Sequence, residues 1–396
     1  MLLLCYQIII LLSLLVFAGI LFSNLAELSR LPPVPDRYGD LPFVSVLVPA
    51  RNEEHSIEAC VLSLLQQHYP GFEVIVLDDS SEDRTGEILL SLQQVSGKRF
   101  RLVRGQPLPE GWHGKAWACR QLADAAAGEL LLFTDADTRH KPDTLFRSVA
   151  AMQQSGVDML TLTPYQEMEG FWEKLVIPLV YFILMSYLPL RMVRISPGTA
   201  FCSAIGQFML FRRDIYRRIG GHGAVRDAIV EDVWLCRAVK KAGGRVSVFN
   251  GVDALNCRMY RTPGEIIRGF SKNLFAGLGY NTAGLFALII LTVAFHVLPW
   301  GFLAFSLFSG NSGLALFQLP LLQILLAMLC RVIIAVWFRQ QPVFALLHAF
   351  SQLVLVGIAL NSFAIVRFGK GPEWKGRSYN FGRAETGGRS REPGAG

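Results

Sequence analysis

The chain has 396 residues, of which 52% are hydrophobic, and it carries a formal net charge of +7. This apolar fraction excludes an ordinary soluble protein and predicts segments that lie in a membrane. The positive charge is not gathered on a helical stripe or in a recognition motif, so nucleic acid is excluded as the expected partner. The seven cysteines are scattered and never spaced as C-x-x-C, which argues against a disulfide framework and a zinc site.

An apolar stretch occupies residues 2–22. A helix of roughly 20 apolar residues crosses the hydrocarbon core, so residues 1–23 are predicted to be a transmembrane anchor. A cleaved signal peptide is the alternative, but the stretch lacks a basic start and an A-x-A cleavage site. Arginines follow the stretch and no basic residue precedes it, which places the next part of the chain in the cytoplasm. Residues 24–42, which contain L-P-P-V-P-D, are predicted to be a stiff linker.

From residue 44 onward, short β-branched runs alternate with helix-like stretches. The predicted strands are 44–48, 73–77, 101–103 and 130–133, and the predicted helices are 54–67, a stretch after residue 85, and 116–127. Strands that alternate with helices of about 10–15 residues are typical of βαβ units on a parallel sheet. Right-handed connections then bring their loops to one edge. Residues 43–280 are therefore predicted to form one α/β domain.

Within this domain, residues 175–190 form another apolar stretch, which contains two prolines and is flanked by basic residues. At about 1.5 Å per residue it is too short to cross the hydrocarbon core. We expect a helix at the membrane interface, with a buried core helix as the alternative.

Three long apolar segments follow, at residues 284–307, 314–337 and 343–366. Each is long enough to cross a membrane, so residues 281–367 are predicted to be transmembrane helices. Three crossings that start in the cytoplasm put the basic tail, residues 368–396, outside, whereas its charge favours the inside. Either one segment re-enters the membrane or lies on it, or the charge rule fails, and we expect a cytoplasmic tail.

Four polar clusters lie in the predicted α/β domain: P-A-R-N-E at 49–53, D-D-S-S-E-D-R-T at 78–85, D-A-D at 135–137, and E-D at 231–232. The first three follow predicted strands, so they are expected at the carboxyl edge of the sheet, where such folds bind ligands. Acids crowded there repel one another unless a cation or hydrogen-bond donors satisfy them. A divalent cation bound by D-A-D and bridged to phosphates meets this need, with the acids at 78 and 79 accepting hydrogen bonds from a nucleoside.

Each cluster also has a simpler interpretation. D-A-D is compatible with a solvated acidic turn, 78–85 with a helix-capping turn, and E-D with acids that complement a helix dipole. Lys115, at the start of a predicted helix, suits a phosphate contact or a solvated lysine. Arg268 and Lys272 share a helix face and either steady a diphosphate or face lipid headgroups.

Taken together, the four clusters resemble the motifs of the family 2 glycosyltransferases over residues 44–272. The resemblance implies a GT-A fold, a Rossmann-like domain that binds nucleotide-diphosphate sugars, here with transmembrane helices at both ends of the chain. It also implies Mg²⁺ or Mn²⁺ as cofactor and transfer of the sugar with inversion. The runs at 111–117, 268–273 and 374–379 are similar to a membrane subgroup that glycosylates carotenoids and related lipids. The Q-x-x-R-W motif of processive members is absent, which favours addition of a single sugar.

The resemblance implies roles for individual residues. Glu53 and Asp79 are expected to contact uracil and ribose, and Asp232 is expected to be the general base, with Glu231 as the alternative. His113 and the run at 206–207 are weaker candidates for the acceptor side. With the basic residues above, the expected donor site comprises Pro49, Glu53, Asp78, Asp79, Lys115, Asp135, Arg268 and Lys272. The expected metal ligands are Asp135 and Asp137.

The sequence therefore predicts an integral protein of the cell inner membrane that moves one hexose, with UDP-glucose as the favoured donor. The expected acceptor is a hydroxyl or carboxyl group of a membrane lipid such as a carotenoid or hopanoid. A polyprenyl-phosphate sugar synthase and a polysaccharide-assembly glycosyltransferase are alternatives within the class. Outside it stands a non-catalytic nucleotide-binding scaffold. A carrier is disfavoured, because the three closing segments contain only His296, Arg331 and His348 as ionisable groups.

Overall fold

The computed structural model describes residues 1–34 and 40–369, and the backbone of two short strands beyond them. Most of the predicted tail 368–396, including half of the run at 374–379, lies outside the described residues, as do residues 35–39 of the predicted linker.

The strands follow the β-branched and aromatic runs of the sequence. They are β1 (Val44–Ala50), β2 (Phe72–Asp78), β3 (Phe100–Arg104), β4 (Leu130–Phe133), β5 (Thr138–His140), β6 (Met159–Gln166), β7 (Met209–Arg212), β8 (Val246–Cys257), β9 (Glu373–Trp374) and β10 (Arg377–Ser378).

The helices lie between the strands and in the apolar segments. They are α1 (Leu2–Glu27), α2 (Ile57–Leu65), α3 (Thr85–Val95), α4 (Gly114–Ala125), α5 (Thr144–Ser155), α6 (Phe171–Val176), α7 (Pro178–Tyr187), α8 (Leu190–Ile195), α9 (Arg213–Arg218), α10 (Glu231–Lys241), α11 (Pro263–Gly277), α12 (Thr282–Thr292), α13 (Leu298–Ser309), α14 (Leu319–Trp337) and α15 (His348–Arg367).

One eight-stranded sheet organises the chain, in the order β3-β2-β1-β4-β7-β6-β8-β5. The first four of these strands are parallel, as the alternating pattern predicts. Strand β7 runs antiparallel to both β4 and β6, and β5 runs antiparallel to β8. The sheet is therefore mixed, whereas the sequence pattern predicted a parallel one.

The register of the parallel strands brings their loops to one edge. Ala50 at the end of β1 pairs with Asp78 at the end of β2. Leu47 of β1 pairs with Phe133, the last residue of β4. The segments that follow these three strands therefore leave the sheet side by side, as predicted from the connection rule.

Side chains alternate between the two faces of the sheet and fill two separate cores. Val46, Val76 and Leu132 point to a core completed by α2, α3 and α5. Leu47 and Phe133 point to the other core, which contains residues of α1, α7 and α14. Apolar helices near both ends of the chain therefore pack directly on one face of the sheet.

Within the described part of the chain, four helical segments are long and apolar enough to cross a membrane: Leu2–Glu27, Thr282–Ser309, Leu314–Trp337 and Pro342–Arg367. Thr282–Ser309 joins α12 to α13 through one wide turn, residues Val293–Val297, before Pro299. The predicted helix at 175–190 is divided among α6, α7 and α8, because Pro178 and Pro189 begin new segments. Most of α7 is buried against α1 and α14.

Asn24, near the end of α1, connects this helix to the segment between α7 and α8. Its buried side-chain amide donates to the carbonyl oxygens of Met185 and Leu188, at 2.9 and 2.7 Å. Its Oδ1 accepts from the amide of Leu190 at 2.8 Å. One side chain thus satisfies three backbone groups where two helical elements meet.

We predict that Asn24→Leu lowers the free energy of unfolding by about 3 kcal/mol, because three buried backbone groups lose their partner. The measurement is thermal or denaturant unfolding of the purified chain in detergent. Ser23→Leu, the same replacement on the exposed neighbour, is the matched control and should leave stability within about 0.5 kcal/mol. Equal stability of the two variants would contradict this role of Asn24.

Candidate active site

Arg51 holds together the two loops that follow β1 and β2. Its buried guanidinium donates to the carbonyl oxygens of Asp79 and Ser80, both at 2.7 Å, and pairs with Glu82 at 3.0 Å. Asn52 adopts a positive φ of 52° beside it and accepts from the amide of Glu82 at 2.8 Å. The planar fork of arginine suits such a multiple contact. Sequence reasoning gave Arg51 no role, although it is the third residue of P-A-R-N-E.

The first two clusters meet at the sheet edge. The amide of Glu53 donates to the Thr85 hydroxyl at 2.7 Å, which fixes P-A-R-N-E against the second loop. Asp78 Oδ1 accepts from the amide of Ser81 at 3.0 Å, so this carboxylate also caps its own turn. Asp79 is buried, and its amide donates to the Ala50 carbonyl at 2.8 Å. Pro49 lies in β1 itself, one residue before Ala50, and is half-buried.

The D-A-D turn follows β4 and holds a half-buried acid, Asp137, whose Oδ1 atom is fully buried. Asp137 Oδ1 has no hydrogen-bond partner in the described part of the chain. Burial raises the pKa of Asp137 to about 7, and the neighbouring Asp135 and Glu53 add to the shift. The turn is supported from behind, where the Thr138 hydroxyl donates to the Asp135 carbonyl at 2.7 Å. The carboxylates at 135, 137 and 53 are thus crowded on one edge.

These features fit a divalent cation. A buried carboxylate oxygen without a partner is a costly group that a hard cation satisfies, and such cations prefer oxygen ligands. Asp135 and Asp137 are the residues that would hold it. Among the described residues, no group of three or more His, Cys, Asp or Glu side chains has the geometry of a metal site. The remaining ligands would therefore have to come from water or from a bound substrate.

Lys115 connects the D-A-D turn to the E-D pair. Its ammonium lies 2.8 Å from Asp135 Oδ1 and 2.8 Å from Glu231 Oε1. Burial opposes the charged form of Lys115, but Asp135 and Glu231 outweigh it and raise its pKa well above the usual value. Burial likewise opposes ionisation of Glu231, yet Lys115 outweighs it and lowers the pKa of that carboxyl. Lys115 and Glu231 are therefore both charged at neutral pH, and together with Asp135 they form a half-buried bridge.

Asp232 has a different environment from Glu231. Its two oxygens accept from the amide of Gly206 at 3.1 Å and from its own neighbour Val233 at 2.8 Å. Burial raises the pKa of Asp232 to about 7, and the charge of Glu231 adds to the shift. The two adjacent acids at the start of α10 thus differ. Lys115 keeps Glu231 ionised, whereas Asp232 gains and loses its proton near pH 7. Such a pair is typical of acid–base sites.

The two basic residues of α11, Arg268 and Lys272, have different surroundings. Burial lowers the pKa of Lys272, and the acids at 231, 135 and 232 oppose the shift, which places its ammonium among the site acids. Arg268, one turn earlier, is exposed and lies against Gly264 of its own helix. The structure therefore brings Lys272 to the acids and leaves Arg268 on the surface.

Gly206 lies between Lys115 and two of the site acids, Asp232 and Asp135. A Cβ added there would lie 3.2 Å from the Lys115 ammonium, 3.8 Å from Asp232 and 3.9 Å from Asp135. A side chain at this position would enter the space between the acids.

His113 precedes α4, where its Nδ1 lies 3.3 Å from the Ala228 carbonyl, and burial lowers its pKa.

Sequence reasoning missed Tyr260 beside the D-A-D turn. Burial raises the pKa of its phenol, and the charges of Asp137 and Asp135 raise it further, so the ring lies near both acids. No local pattern indicated this, because Tyr260 follows β8, more than 100 positions from the turn.

The chain is similar in sequence to known glycosyltransferases. Residues 45–220 match the family model described as glycosyl transferase family 2. A 4,4'-diaponeurosporenoate glycosyltransferase of Staphylococcus haemolyticus is 26% identical over 347 residues, with 85% of this chain and 88% of the relative covered. The protein of the same name from Staphylococcus aureus (strain USA300) is 26% identical over 363 residues, with 86% and 89% covered.

Among solved structures, the mannosyltransferase PcManGT from Pyrobaculum calidifontis, in complex with GDP-Man and Mn²⁺, is similar in fold. It shares 18% identity, has a TM-score of 0.53, and the match covers 91% of this chain and 97% of that one. The predicted fold class, a GT-A domain with apolar helices at both ends, is thereby confirmed. These comparisons support a glycosyltransferase: residues 45–220 match glycosyl transferase family 2, and most of the chain is similar to the carotenoid glycosyltransferases.

Proposed function

We propose that this glycosyltransferase moves a single hexose, with inversion, from a nucleotide-diphosphate sugar to an oxygen of an apolar membrane lipid. The observation that carries the proposal is the Lys115 bridge, which joins the acid of the D-A-D turn to the E-D pair. Donor-side and acceptor-side acids are thereby adjacent, as single displacement at a sugar carbon requires.

On the donor side, the proposal assigns the nucleotide to the paired loops after β1 and β2. Glu53, Asp78 and Asp79 supply acceptors there for base and ribose groups, with Pro49 beside them. Asp135 and Asp137 would hold Mg²⁺ or Mn²⁺, which neutralises the charge of a departing diphosphate. Lys115 and Lys272 add two cations at the same edge. UDP-glucose remains the favoured donor, and the exposed Arg268 is kept as a weaker phosphate contact.

On the acceptor side, Asp232 is the proposed general base. A carboxyl with a pKa near 7 accepts a proton from a hydroxyl more readily than an ordinary aspartate does. Its two backbone hydrogen bonds fix the carboxylate in place. Glu231 is held ionised by Lys115 and is the alternative base. The single-base arrangement supports inversion in one step.

The lipid half of the proposal rests on the apolar helices and on the relatives. Four helices are long and apolar enough to cross a membrane, and two of them complete a core of the sheet. The similar staphylococcal proteins are named for diaponeurosporenoate, an apolar acid. We therefore propose a carotenoid-like or hopanoid-like acceptor that offers a hydroxyl or a carboxyl group.

The proposal includes the domain bounds and the side of the membrane on which each domain lies. Residues 43–280 form the catalytic domain on the cytoplasmic face of the inner membrane, after an anchor at 1–23 and a linker at 24–42. Residues 281–367 hold it to the bilayer, and the basic tail 368–396 follows. The arginines that follow the first apolar helix support a cytoplasmic domain.

The first test is transfer of labelled glucose from UDP-glucose to a membrane lipid extract by the purified chain in detergent with Mn²⁺. We expect label in the organic phase, and a loss of about 100-fold or more in Asp135→Ala, because the diphosphate loses its metal. Asp124→Ala removes an exposed acid that pairs with Arg120 on α4 and should keep full activity. No transfer from any nucleotide sugar to lipid would contradict the proposed reaction.

Asp232→Asn separates the two acceptor types. With a hydroxyl acceptor we expect kcat to fall about 10²–10⁴-fold at unchanged donor affinity, since the general base is lost. With a carboxylate acceptor, already an anion, most activity should remain. For the wild type with a hydroxyl acceptor, kcat should rise with pH through about 7, as Asp232 loses its proton. Unchanged kcat of the variant with hydroxyl acceptors would exclude Asp232 as the base.

Asp137→Asn should stabilise the metal-free protein at pH 8. The pKa of Asp137 is raised to about 7, so the folded state resists its ionisation and loses stability as pH rises from the ordinary aspartate range through 7. We expect the Tm of the variant to exceed that of the wild type by about 2–4 °C at pH 8. The difference should shrink toward pH 4.

Added Mn²⁺ should raise the Tm of the wild type and have a smaller effect on Asp137→Asn, because the ion loses one of its two carboxylates. Asp214→Asn, at an exposed position on α9, is the control and should respond to Mn²⁺ as the wild type does. An equal Mn²⁺ response in Asp137→Asn would remove Asp137 from the metal site.

A further inference from the structure

Among the described residues, four segments are apolar enough to cross a membrane. One of them, α15, packs on α6, α11, α12 and the turn Val293–Val297. We infer that α15 lies along the base of the α/β part without crossing the bilayer. The chain then leaves α15 on the same side of the membrane as the active site. The inference rests on helix contacts alone and is independent of the proposed donor and acceptor.

The end of α15 lies beside the start of α12. The guanidinium of Arg367 donates to the Thr282 hydroxyl at 3.2 Å. One turn earlier, the ring of Phe363 packs on the ring of Phe286, with centroids 5.6 Å apart. Ala359 shares a small core with Leu285. The two helices are therefore antiparallel, and α15 ends where α12 begins.

The start of α12 is on the side of the active site. It follows α11 after four residues, and α11 packs on α6, whose Glu173 pairs with Arg258 just after β8. The second half of α15 also lies directly along α11. The side-chain amide of Asn361 donates to the Ser271 hydroxyl at 2.9 Å. The backbone amide of Phe275 donates to the Ser362 hydroxyl at 3.1 Å.

The start of α15 lies on the same side. In the turn before it, the ring of Phe344 is 5.7 Å from that of Phe171, and Phe350 in its first turn is 6.3 Å from Trp172. The next residue of α6, Glu173, pairs with Arg258 at 3.1 Å, just after β8 of the sheet. At the first residue of α15, His348 Nε2 lies 3.3 Å from Nδ1 of His296, whose ring packs on Phe182 of α7. Both ends of α15 therefore contact elements that pack on the sheet or on α7.

The other apolar segments do reach away from the sheet. Gln323 in α14 donates to the Gln7 carbonyl at 2.9 Å, near the first turns of α1. At the opposite end of α14, the ring of Phe338 packs on Tyr181, whose hydroxyl donates to the Pro164 carbonyl of β6 at 2.6 Å. Helix α14 thus starts far from the sheet and ends on it, as α1 does.

Three crossings result: α1, the joined α12 and α13, and α14. With α15 on the surface, the count no longer sends the tail to the opposite side. Residues 367–396 contain seven Lys and Arg against three Asp and Glu. The positive-inside rule and the helix contacts therefore agree. The conflict between span count and charge disappears.

The outward face of α15 fits the lipid of the bilayer. Its exposed side chains include Phe350, Leu353 and Leu360, and Phe368 after its end is 83% exposed. No charged residue occurs between His348 and Arg367. The face continues the apolar surface of the crossing helices, so a membrane and not a protein partner is the occupant that we assign to it.

The first test places a short tag for a split fluorescent protein at three positions of the full chain: after Gly396, after Asn311, and after Gly97. Asn311 lies between α13 and α14, and Gly97 lies in the α/β part. The complementary fragment is supplied on either side of the membrane. We expect the tag after Gly396 to report the same side as Gly97 and the opposite side from Asn311. A tag after Gly396 that reports the side of Asn311 would overturn the inference.

A proximity test does not depend on tags. Thr282→Cys with Arg367→Cys should be linked by a short thiol-reactive reagent in native membranes, with the linked peptides identified by mass. Ser309→Cys with Arg367→Cys is the matched pair, because a crossing α15 would end near the far end of α13. Linkage of the first pair alone supports the inference. Linkage of the second pair alone would establish a fourth crossing.

Discussion

The positive charge of Lys115 allows acids from two distant parts of the chain to share one half-buried place. Asp135 follows β4 and Glu231 begins α10, nearly 100 positions later, yet both lie 2.8 Å from the same ammonium. Without that cation their mutual repulsion and desolvation would push the two segments apart. The bridge also separates the roles of the E-D pair, since Lys115 holds Glu231 ionised while burial raises the pKa of Asp232 to about 7. A metal on the D-A-D turn would add a second cation next to the first and relieve the crowding at Asp137 in the same way.

The position of this site relative to the membrane follows from how the sheet is packed. One face of the sheet rests on ordinary amphipathic helices, but the other shares its core with α1, α7 and α14. Leu47 lies in β1, before P-A-R-N-E, and Phe133 ends β4, before the D-A-D turn. Both side chains point into that second core. The apolar helices are therefore not tethers for an independent domain. Any tilt of α1 or α14 must repack the sheet beneath the site, and close packing resists such movement.

Local patterns predicted much of this structure, and contacts between distant residues account for the rest. The runs of β-branched residues predicted β1, β2 and β4, and strand order brought three of the polar clusters to one edge. The antiparallel strand β7 was not predicted, because its pairing with β4 joins residues about 80 positions apart and leaves no periodic signal. The same limit explains Gly206 and Tyr260, whose places beside the acids depend on the folded sheet. Arg51 is a different case, since its motif was recognised but its buried clamp on the second loop was visible only in three dimensions.

Hydropathy alone could not give the number of crossings, because it measures composition and not the direction in which a helix runs. The face of α15 that contacts α11 and α12 is comparatively polar, with Ser351, Gln352 and Ser362 buried in it. Ser362 bonds to Phe275 and Ser271 of α11, whereas Ser351 and Gln352 bond to Leu347 and His348 of their own segment. Apolar side chains cover the opposite face. Polar contacts of this kind also join helices inside membranes, so the ends of α15, and not this face, indicate the direction of the helix. On the inferred topology, the basic residues after α15 lie on the membrane face that carries the active site. If the acceptor is a membrane lipid, as proposed, their attraction to anionic headgroups would add to the apolar contacts that hold the site at the membrane surface.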